Sequence, residues 1–511
     1  MALAAITDDR IESMNPATGE ILGSVPVMSA DEVREVAQRA RKEAVEWSRL
    51  SVRARQAHLL RIRSAVVQRS EELARMVAAE TGKPLPDAIL EVFALGTFLT
   101  YCAKNAARAL RPRRVSSKPL VLKRATITYE PYGVIGVISP WNFPVGIPAQ
   151  VLPYALAAGN TIVYKPSELT PLTGIKLAEI FNSAGRHLIH VVTGDGRTGE
   201  GLVRSGVDKI EFTGSPGVAK RILAAAADTL TPVVLELGGK DPMIVCEGAD
   251  LRKAARSAVG VSFHNSGQFC MAIERVFVTP GAYDRFVEEA VAATREIKQG
   301  IGDDANIGSM TRPQQIDVIE RRLADATAKG ARILMGGHRR TELGENFFEP
   351  TVIVDVDPQM ELMKEETFGP VLPIMRVDSV DEAVRLANDS DYGLNASVFA
   401  PSTAQARTIA GRLVAGGVNL NDAVIGSGIP ALPFGGEKSS GFGRLQGEEG
   451  FREFSRTKTL TENRFGKTAL AAAMFTGKRV DPERLLGMMR LMYGKGARER
   501  LGGLRKKRGR K

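Results

Sequence analysis

Cysteine is scarce in this chain, which has only Cys102, Cys246 and Cys270. The count is odd and the spacing is not that of metal ligands, so neither a disulfide framework nor a zinc site is predicted. We therefore expect no bound metal. A single reactive thiol is the interpretation that remains open.

Long apolar runs are also missing. The longest, residues 132–139 and 243–246, fall far short of the ~20 residues needed to cross a bilayer. The N-terminal residues MALAAITDDRIES lack the basic segment and long apolar stretch of a secretory signal. The sequence therefore predicts no transmembrane helix and a cytoplasmic location.

Net charge is absent from most of the chain. The formal charge is +11, and residues 465–511 account for it with 14 Lys+Arg and 3 Asp+Glu. The neutral remainder, in a chain with only two tryptophans, offers no obvious platform for stacking bases. The sequence thus disfavours a nucleic-acid-binding protein and favours a basic segment appended to neutral domains.

At 511 residues the chain is too long for one hydrophobic core, because cores stop growing near ~250 to 300 residues. From about residue 31 to 107, apolar residues at three-and-four spacing predict amphipathic helices. From residue 132 onward, short β-rich runs alternate with helical stretches, which predicts parallel sheets. The first series is GVIGVIS, NTIVYKP, HLIHVVTG, DKIEFTGS and PVVLELGG. The second is DPMIVCE, ERVFVTP, ARILMGG, TVIVDVD and ASVFA, so two α/β units join near residues 237–240.

A dinucleotide-binding fingerprint is present but weak. Gly194, Gly196 and Gly199 in TGDGRTG fit G-x-G-x-x-G after an apolar run. The position about 20 residues beyond Gly194 holds Gly214 and not the acidic residue of the motif. An ordinary strand-to-helix turn is therefore the favoured interpretation.

A dense set of motifs resembles the aldehyde dehydrogenase superfamily, in the expected order from about residue 15 to 460. These segments are NPATGE at 15–20, SPWNFP at 139–144, KPSE at 165–168, FTGS at 212–215, ELGGK at 236–240, GQFC at 267–270, EETFGP at 365–370 and PFGGEKSSGFGR at 433–444. The order and residues of these segments, together with the extended C-terminus, resemble those of a bacterial branch of the family. This branch includes carotenoid-dialdehyde and second-type succinic-semialdehyde dehydrogenases.

The resemblance implies a covalent mechanism with three principal residues. Taken alone, Glu236 fits a salt-bridge partner and Cys270 a small core residue. In the family, Cys270 would attack the aldehyde, and its backbone N–H and the Asn142 amide would face the oxyanion, each donor being worth roughly 3 to 4 kcal/mol. Glu236 would accept protons from the thiol and from the water that hydrolyses the thioester. Hydrolysis to a carboxylic acid is therefore expected.

The resemblance also implies a nicotinamide cofactor. Lys165 and Glu168 would hold the adenosine ribose, and the helix after Gly214 and Ser215 would receive the pyrophosphate at its N-terminus. The remaining expected contacts are Trp141, Glu366 and Phe368. Because Glu168 would repel a 2'-phosphate, NAD is expected, with NADP as the alternative. Ala219 stands where the family usually has glycine.

The predicted substrate tunnel has few cations. Semialdehyde members of the family grip a carboxylate with arginines at two positions that Gln150 and His264 occupy in this chain. With Ile147, Phe269 and Met271, these residues favour an uncharged aliphatic, aromatic or isoprenoid aldehyde. The alternative is succinic semialdehyde, and a protonated His264 would suit it. A catalytically silent structural protein on this fold is the alternative from another class.

The expected fold class is α/β, with two parallel-sheet domains and a small oligomerisation arm. The Rossmann-like NAD-binding domain covers 1–107 and 132–236, and the catalytic domain covers 237–433. Residues 108–131 and 452–464 would form the arm, and with it a homodimer or homotetramer, because an exposed edge strand needs a partner.

The basic C-terminal tail, residues 465–511, extends beyond the family resemblance. One predicted helical face carries Leu485, Leu486, Met489, Met492 and Tyr493. An apolar face followed by a polybasic end is typical of a segment that lies on an anionic membrane. Docking on a partner subunit and a disordered tail are the alternatives, since five glycines weaken the helix.

Overall fold

The computed structural model describes residues 9–118, 120, 123–464 and 481–496. These residues divide into two compact units. One holds the described residues up to Arg111 together with Tyr129–Thr457, and the other holds Pro112–Thr128 and the described residues from Lys458 onward.

The chain begins with a hairpin and four helices. Strands β1 and β2 pair in antiparallel fashion. The capping box of Ser29 and Glu32 begins α1. The bounds are β1 (Arg10–Met14), β2 (Ile21–Pro26), α1 (Ala30–Arg49), α2 (Val52–Gln68), α3 (Ser70–Thr81) and α4 (Leu85–Ala109). The helices predicted for about residues 31–107 are thus confirmed, whereas the hairpin was not predicted.

Helix α4 is long and apolar enough to span a membrane by length and composition, and it is the one such helix among the described residues. Its buried side chains, including Leu95, Phe98 and Leu99, belong to a core cluster with residues of α2. This packing is that of a core helix.

A three-stranded antiparallel sheet follows α4. Its order is β18-β4-β3, with bounds β3 (Arg113–Val115), β4 (Lys123–Pro131) and β18 (Ser455–Asn463). Lys123 donates a hydrogen bond to Asn463, and Arg124 pairs with Glu462 at 3.2 Å. The segments predicted for the arm thus supply this sheet, although α4 extends to Ala109 and residues 452 and 453 are helical.

The first predicted α/β series forms a six-stranded sheet. Its strands are β5 (Val134–Ile138), β6 (Thr161–Lys165), β7 (Ile189–Val191), β8 (Lys209–Thr213), β9 (Val233–Glu236) and the antiparallel edge strand β17 (Gly441–Phe442). Its order is β17-β9-β8-β5-β6-β7, so strand order reverses at β5. Such a switch point, at the carboxyl ends of the strands, is where open α/β sheets bind ligands. The intervening helices are α5 (Gly146–Ala158), α6 (Pro171–Asn182), α7 (Gly196–Val203) and α8 (Pro216–Ala227).

The second series forms a seven-stranded sheet of order β12-β13-β14-β11-β10-β15-β16. Its strands are β10 (Asp241–Val245), β11 (Ile273–Val278), β12 (Arg332–Met335), β13 (Thr351–Val354), β14 (Val371–Arg376), β15 (Asn395–Phe399) and β16 (Gly417–Leu420). Strand β12 is antiparallel to β13 and the other pairs are parallel. Its helices are α9 (Leu251–Phe263), α10 (Pro280–Arg295), α11 (Gln314–Ala328), α12 (Glu361–Lys364), α13 (Val380–Asn388) and α14 (Thr403–Ala410). Helix α15 (Gly447–Glu453) packs instead against α4 and α5.

The tail contains helix α16 (Pro482–Tyr493), which Asp481 caps at its N-terminus. The five predicted apolar residues lie on this helix and are 46–69% exposed. Residues 465–480 and 497–511, including the polybasic end, lie outside the described residues.

The fingerprint at Gly194 is a strand-to-helix turn between β7 and α7, as favoured above. The Asp195 side chain accepts the backbone N–H of Arg197 and so caps α7 itself. A helix N-terminus that its own carboxylate caps does not offer its free N–H groups to an anion.

Candidate active site

A cavity of about 190 Å³ brings several predicted site residues together. Helices α4 and α5, the end of β9 and the loop before β11 form its walls. It is lined by Asp87, Leu90, Glu91, Ala94, Phe98, Phe143, Gly146, Ile147, Gln150, Thr213, Glu236, Leu237, His264, Phe269, Cys270, Met271, Leu394, Ser427, Gly428, Phe434 and Leu445. Cys270 and Glu236 thus face the same space.

Cys270 follows an unusual turn. Asn265, Ser266 and Gly267 have successive φ angles of 51°, 56° and 75°, in the left-handed region. A Cβ on Gly267 would lie 2.1 Å from the Gly369 carbonyl carbon, so only glycine fits there. The half-buried thiol has a pKa raised above its usual value, mainly by burial and secondarily by Glu366. The resting thiol therefore holds its proton, and a base is needed to form the thiolate.

Asn142 lies directly beside this turn. Its side-chain Nδ2 donates to the Gln268 backbone carbonyl at 3.1 Å. Its backbone carbonyl accepts a hydrogen bond from Asn265 Nδ2 at 2.9 Å. The Asn142 side chain is buried. The structure therefore places the predicted amide donor against the loop that ends at Cys270.

Glu236 ends β9, in register with Thr213 of β8 and Gly441 of β17. It is buried, and neither carboxyl oxygen has a hydrogen-bond partner within the protein. Burial raises its pKa well above the usual glutamate value, and neighbouring Glu211 raises it further. A carboxyl group with a raised pKa is suited to accepting a proton near neutral pH.

Glu211, which lies two residues before Thr213 on β8, was not among the predicted site residues. Thr213 Oγ1 donates to Glu211 Oε1 at 2.8 Å, and Glu211 is fully buried. Burial raises the pKa of Glu211 to about 8. Its position in the strand run DKIEFTGS gave no signal, because alternation alone does not reveal that both sheet faces are buried.

The residues assigned to the adenosine and pyrophosphate lie at the carboxyl ends of β6 and β8. Lys165 Nζ is 3.7 Å from Glu168 Oε2, and burial lowers the lysine's pKa. Ser215 precedes α8 without making a side-chain cap, and a Cβ on Gly217 would meet nothing within 4 Å. The uncapped end of this helix, next to the switch strand, fits an anionic group.

Two further assigned residues form an aromatic contact. The rings of Trp141 and Phe368 meet edge to face with centroids 5.6 Å apart. Glu366 accepts the backbone N–H of Gly239 at 3.1 Å, and burial raises its pKa to about 8. This hydrogen bond directs Glu366 toward the turn after Glu236. Together with the open α8 terminus, these groups fit a nicotinamide dinucleotide.

Ala219, the departure from the family pattern, is buried in a core cluster with residues of β8 and α7. Its methyl group therefore packs inside the protein.

The five residues predicted for the tunnel, which are Ile147, Gln150, His264, Phe269 and Met271, all line the cavity. No lysine or arginine lines it among the described residues. His264 Nδ1 is 3.7 Å from Asp87 Oδ2, and the imidazole stacks on Phe143 with centroids 5.6 Å apart. Burial lowers the pKa of His264, although Asp87 opposes the shift. The imidazole is therefore neutral near neutral pH.

Helix α4 supplies a wall that sequence analysis did not predict, through Asp87, Leu90, Glu91, Ala94 and Phe98. Its apolar spacing predicted a covering helix, and nothing local marks which face meets the cavity. Among the described residues, no group of three or more His, Cys, Asp or Glu side chains could hold a metal ion.

The family model "Aldehyde dehydrogenase family" matches residues 4–460. The mitochondrial succinate-semialdehyde dehydrogenase of Arabidopsis thaliana is 39% identical over 458 residues, which cover 88% of this chain and 85% of that protein. The 4,4'-diapolycopene aldehyde oxidase of Methylomonas sp. is 36% identical over 463 residues, covering 89% and 86% respectively.

A solved structure agrees with these matches. The NAD-dependent aldehyde dehydrogenase of Sinorhizobium meliloti superposes with a TM-score of 0.86 at 35% identity, covering 92% of this chain and 94% of that one.

Proposed function

Because this chain belongs to the aldehyde dehydrogenase family, we propose that it oxidises its aldehyde through Cys270, with Glu236 as the base. Glu236 first takes the thiol proton, directly or through water, and the sulfur attacks the aldehyde carbon to form a hemithioacetal. The Asn142 amide and the Cys270 N–H donate to the oxyanion. The observation that carries the proposal is the single cavity shared by Cys270 and an unpartnered, buried Glu236.

A nicotinamide held by Trp141, Glu366 and Phe368 would supply the hydride acceptor, and loss of hydride from the hemithioacetal would leave a thioester on Cys270. Glu236 releases the thiol proton to solvent and then deprotonates a water, which attacks the thioester carbon. The carboxylic acid is released, and the departing thiolate takes the proton back from Glu236. One carboxyl group thus serves both steps, and because burial raises its pKa well above the usual glutamate value, its ionised form is a stronger base than an exposed carboxylate. A catalytically silent structural role does not agree with the family.

The cofactor residues support NAD over NADP. Lys165 and Glu168 would hold the adenosine ribose, the N–H groups after Gly214 and Ser215 the pyrophosphate, and Trp141, Glu366 and Phe368 the nicotinamide half. Glu168, which is 38% exposed, would accept hydrogen bonds from ribose hydroxyls and repel a 2'-phosphate.

The substrate we propose is an uncharged, lipophilic aldehyde. The cavity is lined largely by aromatic and aliphatic side chains, and among the described residues no lysine or arginine lines it that could pair with a carboxylate of the substrate. Near it, α4 exposes Ile89, Leu90 and Phe93, the last to 73%. Ile89 and Phe93 also line a neighbouring groove of about 980 Å³. An apolar surface next to an apolar tunnel suits a substrate with a long hydrocarbon part.

Succinic semialdehyde is the second candidate, because its dehydrogenase in Arabidopsis is a relative. A panel assay of NADH formation over aliphatic, aromatic, isoprenoid and semialdehyde substrates separates the two. We expect kcat/KM to be higher for the uncharged aldehydes. A preference for succinic semialdehyde would replace our substrate proposal.

The direct test of the chemistry is Cys270→Ala. This change removes the nucleophile with little change in volume, so NADH formation should be lost while NAD affinity and melting temperature persist. The buried Cys246→Ala serves as the matched control and should keep its turnover. NADH formation by the Cys270 variant at a substantial fraction of the parent rate would reject this nucleophile.

We also propose a cytoplasmic homo-oligomer, a dimer or a tetramer, that attaches to an anionic membrane through its tail. The three-stranded sheet has two outer edges, of β3 and β18, that can pair with another subunit. Light scattering at micromolar concentration checks the assembly, and a monomer would contradict it. The exposed apolar residues of α16 and the basic charge of residues 465–511 support the membrane attachment.

A further inference from the structure

A buried ion pair includes Glu91 of the cavity wall. Lys83 Nζ donates to Glu91 Oε1 at 2.5 Å, and the two side chains are 0% and 4% exposed. The same Lys83 ammonium donates to the Asn142 carbonyl at 2.7 Å. It also lies 4.2 Å from the ring centroid of Phe143. The charge of Lys83 is thus directed at the peptide that carries the predicted oxyanion donor.

Glu91 holds the other end of the same segment. Its Oε2 accepts the backbone N–H groups of Val145 at 3.0 Å and Gly146 at 2.8 Å, where α5 begins. Three charge-assisted hydrogen bonds therefore fix residues 142–146 at both ends. Hydrogen bonds of this kind are about twice as strong as neutral ones.

The Asn142 side chain depends on this segment. The Asn142 carbonyl accepts both Lys83 Nζ and Asn265 Nδ2, and its amide donates to the Gln268 carbonyl. The bonds to the Asn142 backbone carbonyl orient the peptide. The Lys83–Glu91 ion pair therefore also sets the direction of the Asn142 side-chain amide relative to Cys270.

Stability alone does not account for the pair. Replacing a buried ion pair with apolar residues of similar volume is often neutral or stabilising, because the desolvation of both charges offsets their attraction. We infer that Lys83 and Glu91 are positioning residues, which hold the Asn142 amide where the oxyanion forms. This inference rests on the proposed role of Asn142.

The test compares Lys83→Met with the parent enzyme. We expect kcat to fall roughly tenfold to hundredfold, as for a misplaced catalytic group, while KM and the Kd of NAD change less than about threefold. Alkylation of Cys270 by iodoacetamide forms no oxyanion, so its rate should stay within about threefold of the parent. If Lys83→Met fails to fold, Lys83→Met/Glu91→Gln avoids an uncompensated charge and should show the same pattern.

Glu80→Gln is the matched control. Glu80 is a buried glutamate that accepts the N–H groups of Leu172 and Thr173 at the start of α6, away from the cavity. This variant should keep its kcat. An unchanged kcat in the Lys83 variants, or an equal loss of alkylation rate, would overturn the inference. Asn142→Ala distinguishes the oxyanion role of Asn142 from the positioning role of Lys83 and Glu91. If Asn142→Ala keeps its kcat, the oxyanion role fails. If Asn142→Ala loses kcat and the Lys83 variants keep theirs, only the positioning role fails.

Discussion

Two buried carboxyl groups, Glu211 and Glu236, lie on the adjacent strands β8 and β9. Both are raised in pKa chiefly by burial, and each has at least one oxygen without a hydrogen-bond partner within the protein. Arg444 opposes the shift of Glu236, and Glu453 adds to it. Because two like charges repel, Glu211 and Glu236 do not readily ionise together. Near neutral pH the two carboxyl groups therefore carry less negative charge than two exposed glutamates would.

Glu211 carries a prediction about stability and pH. Its pKa is about 8 in the folded chain and near 4.5 in an unfolded one. The contribution of Glu211 to the free energy of unfolding is therefore fully present below pH 4.5 and is lost as the pH rises through 8. Glu211→Gln should raise the melting temperature relative to the parent by an amount that grows from pH 5 to 8. Each kcal/mol gained in the free energy of unfolding corresponds to about 2 to 4 °C. Calorimetry over this range checks it, and a pH-independent difference would contradict it.

The limits of sequence analysis are clearest at single residues. Cys270, Glu236 and Asn142 were predicted because each stands in a family motif. Asp87 and Glu91 stand on a helix with no motif, and their role depends on packing against residues more than 50 positions away in the chain. Such pairings follow from tertiary structure and leave no local periodicity.

At the scale of elements, the uncapped start of α8 carries the cofactor assignment. Ser215→Asp would put a carboxylate at this N-terminus, where it should cap the helix and repel a pyrophosphate. We expect the Kd of NAD to rise about fivefold or more, roughly 1 kcal/mol, with an unchanged or higher melting temperature. Isothermal titration checks the affinity. An unchanged Kd would place the pyrophosphate elsewhere.

The strands of both sheets were largely predicted, because β-rich runs bounded by Gly, Pro or Ser mark buried parallel strands. Strands β14, β16 and β17 were missed, since each is short or contains glycine or proline. The antiparallel direction of β12 also left no trace in its sequence. Direction depends on the connection that precedes a strand and not on its composition.

At the scale of the whole molecule, the C-terminal tail has no proposed part in the oxidation of the aldehyde. Its apolar residues on α16 are exposed, and its basic charge is set apart from a neutral body. Each Lys or Arg near an anionic surface contributes about 1 kcal/mol to membrane binding. Such attachment would bring the tunnel to a bilayer that dissolves lipophilic aldehydes.

Vesicle flotation tests this attachment. At low salt, the full chain should float with vesicles that contain anionic lipid, and a chain truncated after Asn463 should not. Both should form NADH from a water-soluble aldehyde at similar rates. Recovery of the full chain in the bottom fraction would refute membrane binding, and loss of activity on truncation would assign the tail a structural role.

The most direct test of the proposed mechanism is the intact mass of Glu236→Gln mixed with aldehyde and NAD. This variant should form the thioester slowly, because the thiol must lose its proton to solvent. The thioester should then accumulate, because no base activates the water that hydrolyses it. We expect a mass increase equal to the acyl group, dependent on NAD and located on the peptide that contains Cys270. An adduct on Cys102 or Cys246, or unchanged turnover in this variant, would contradict it.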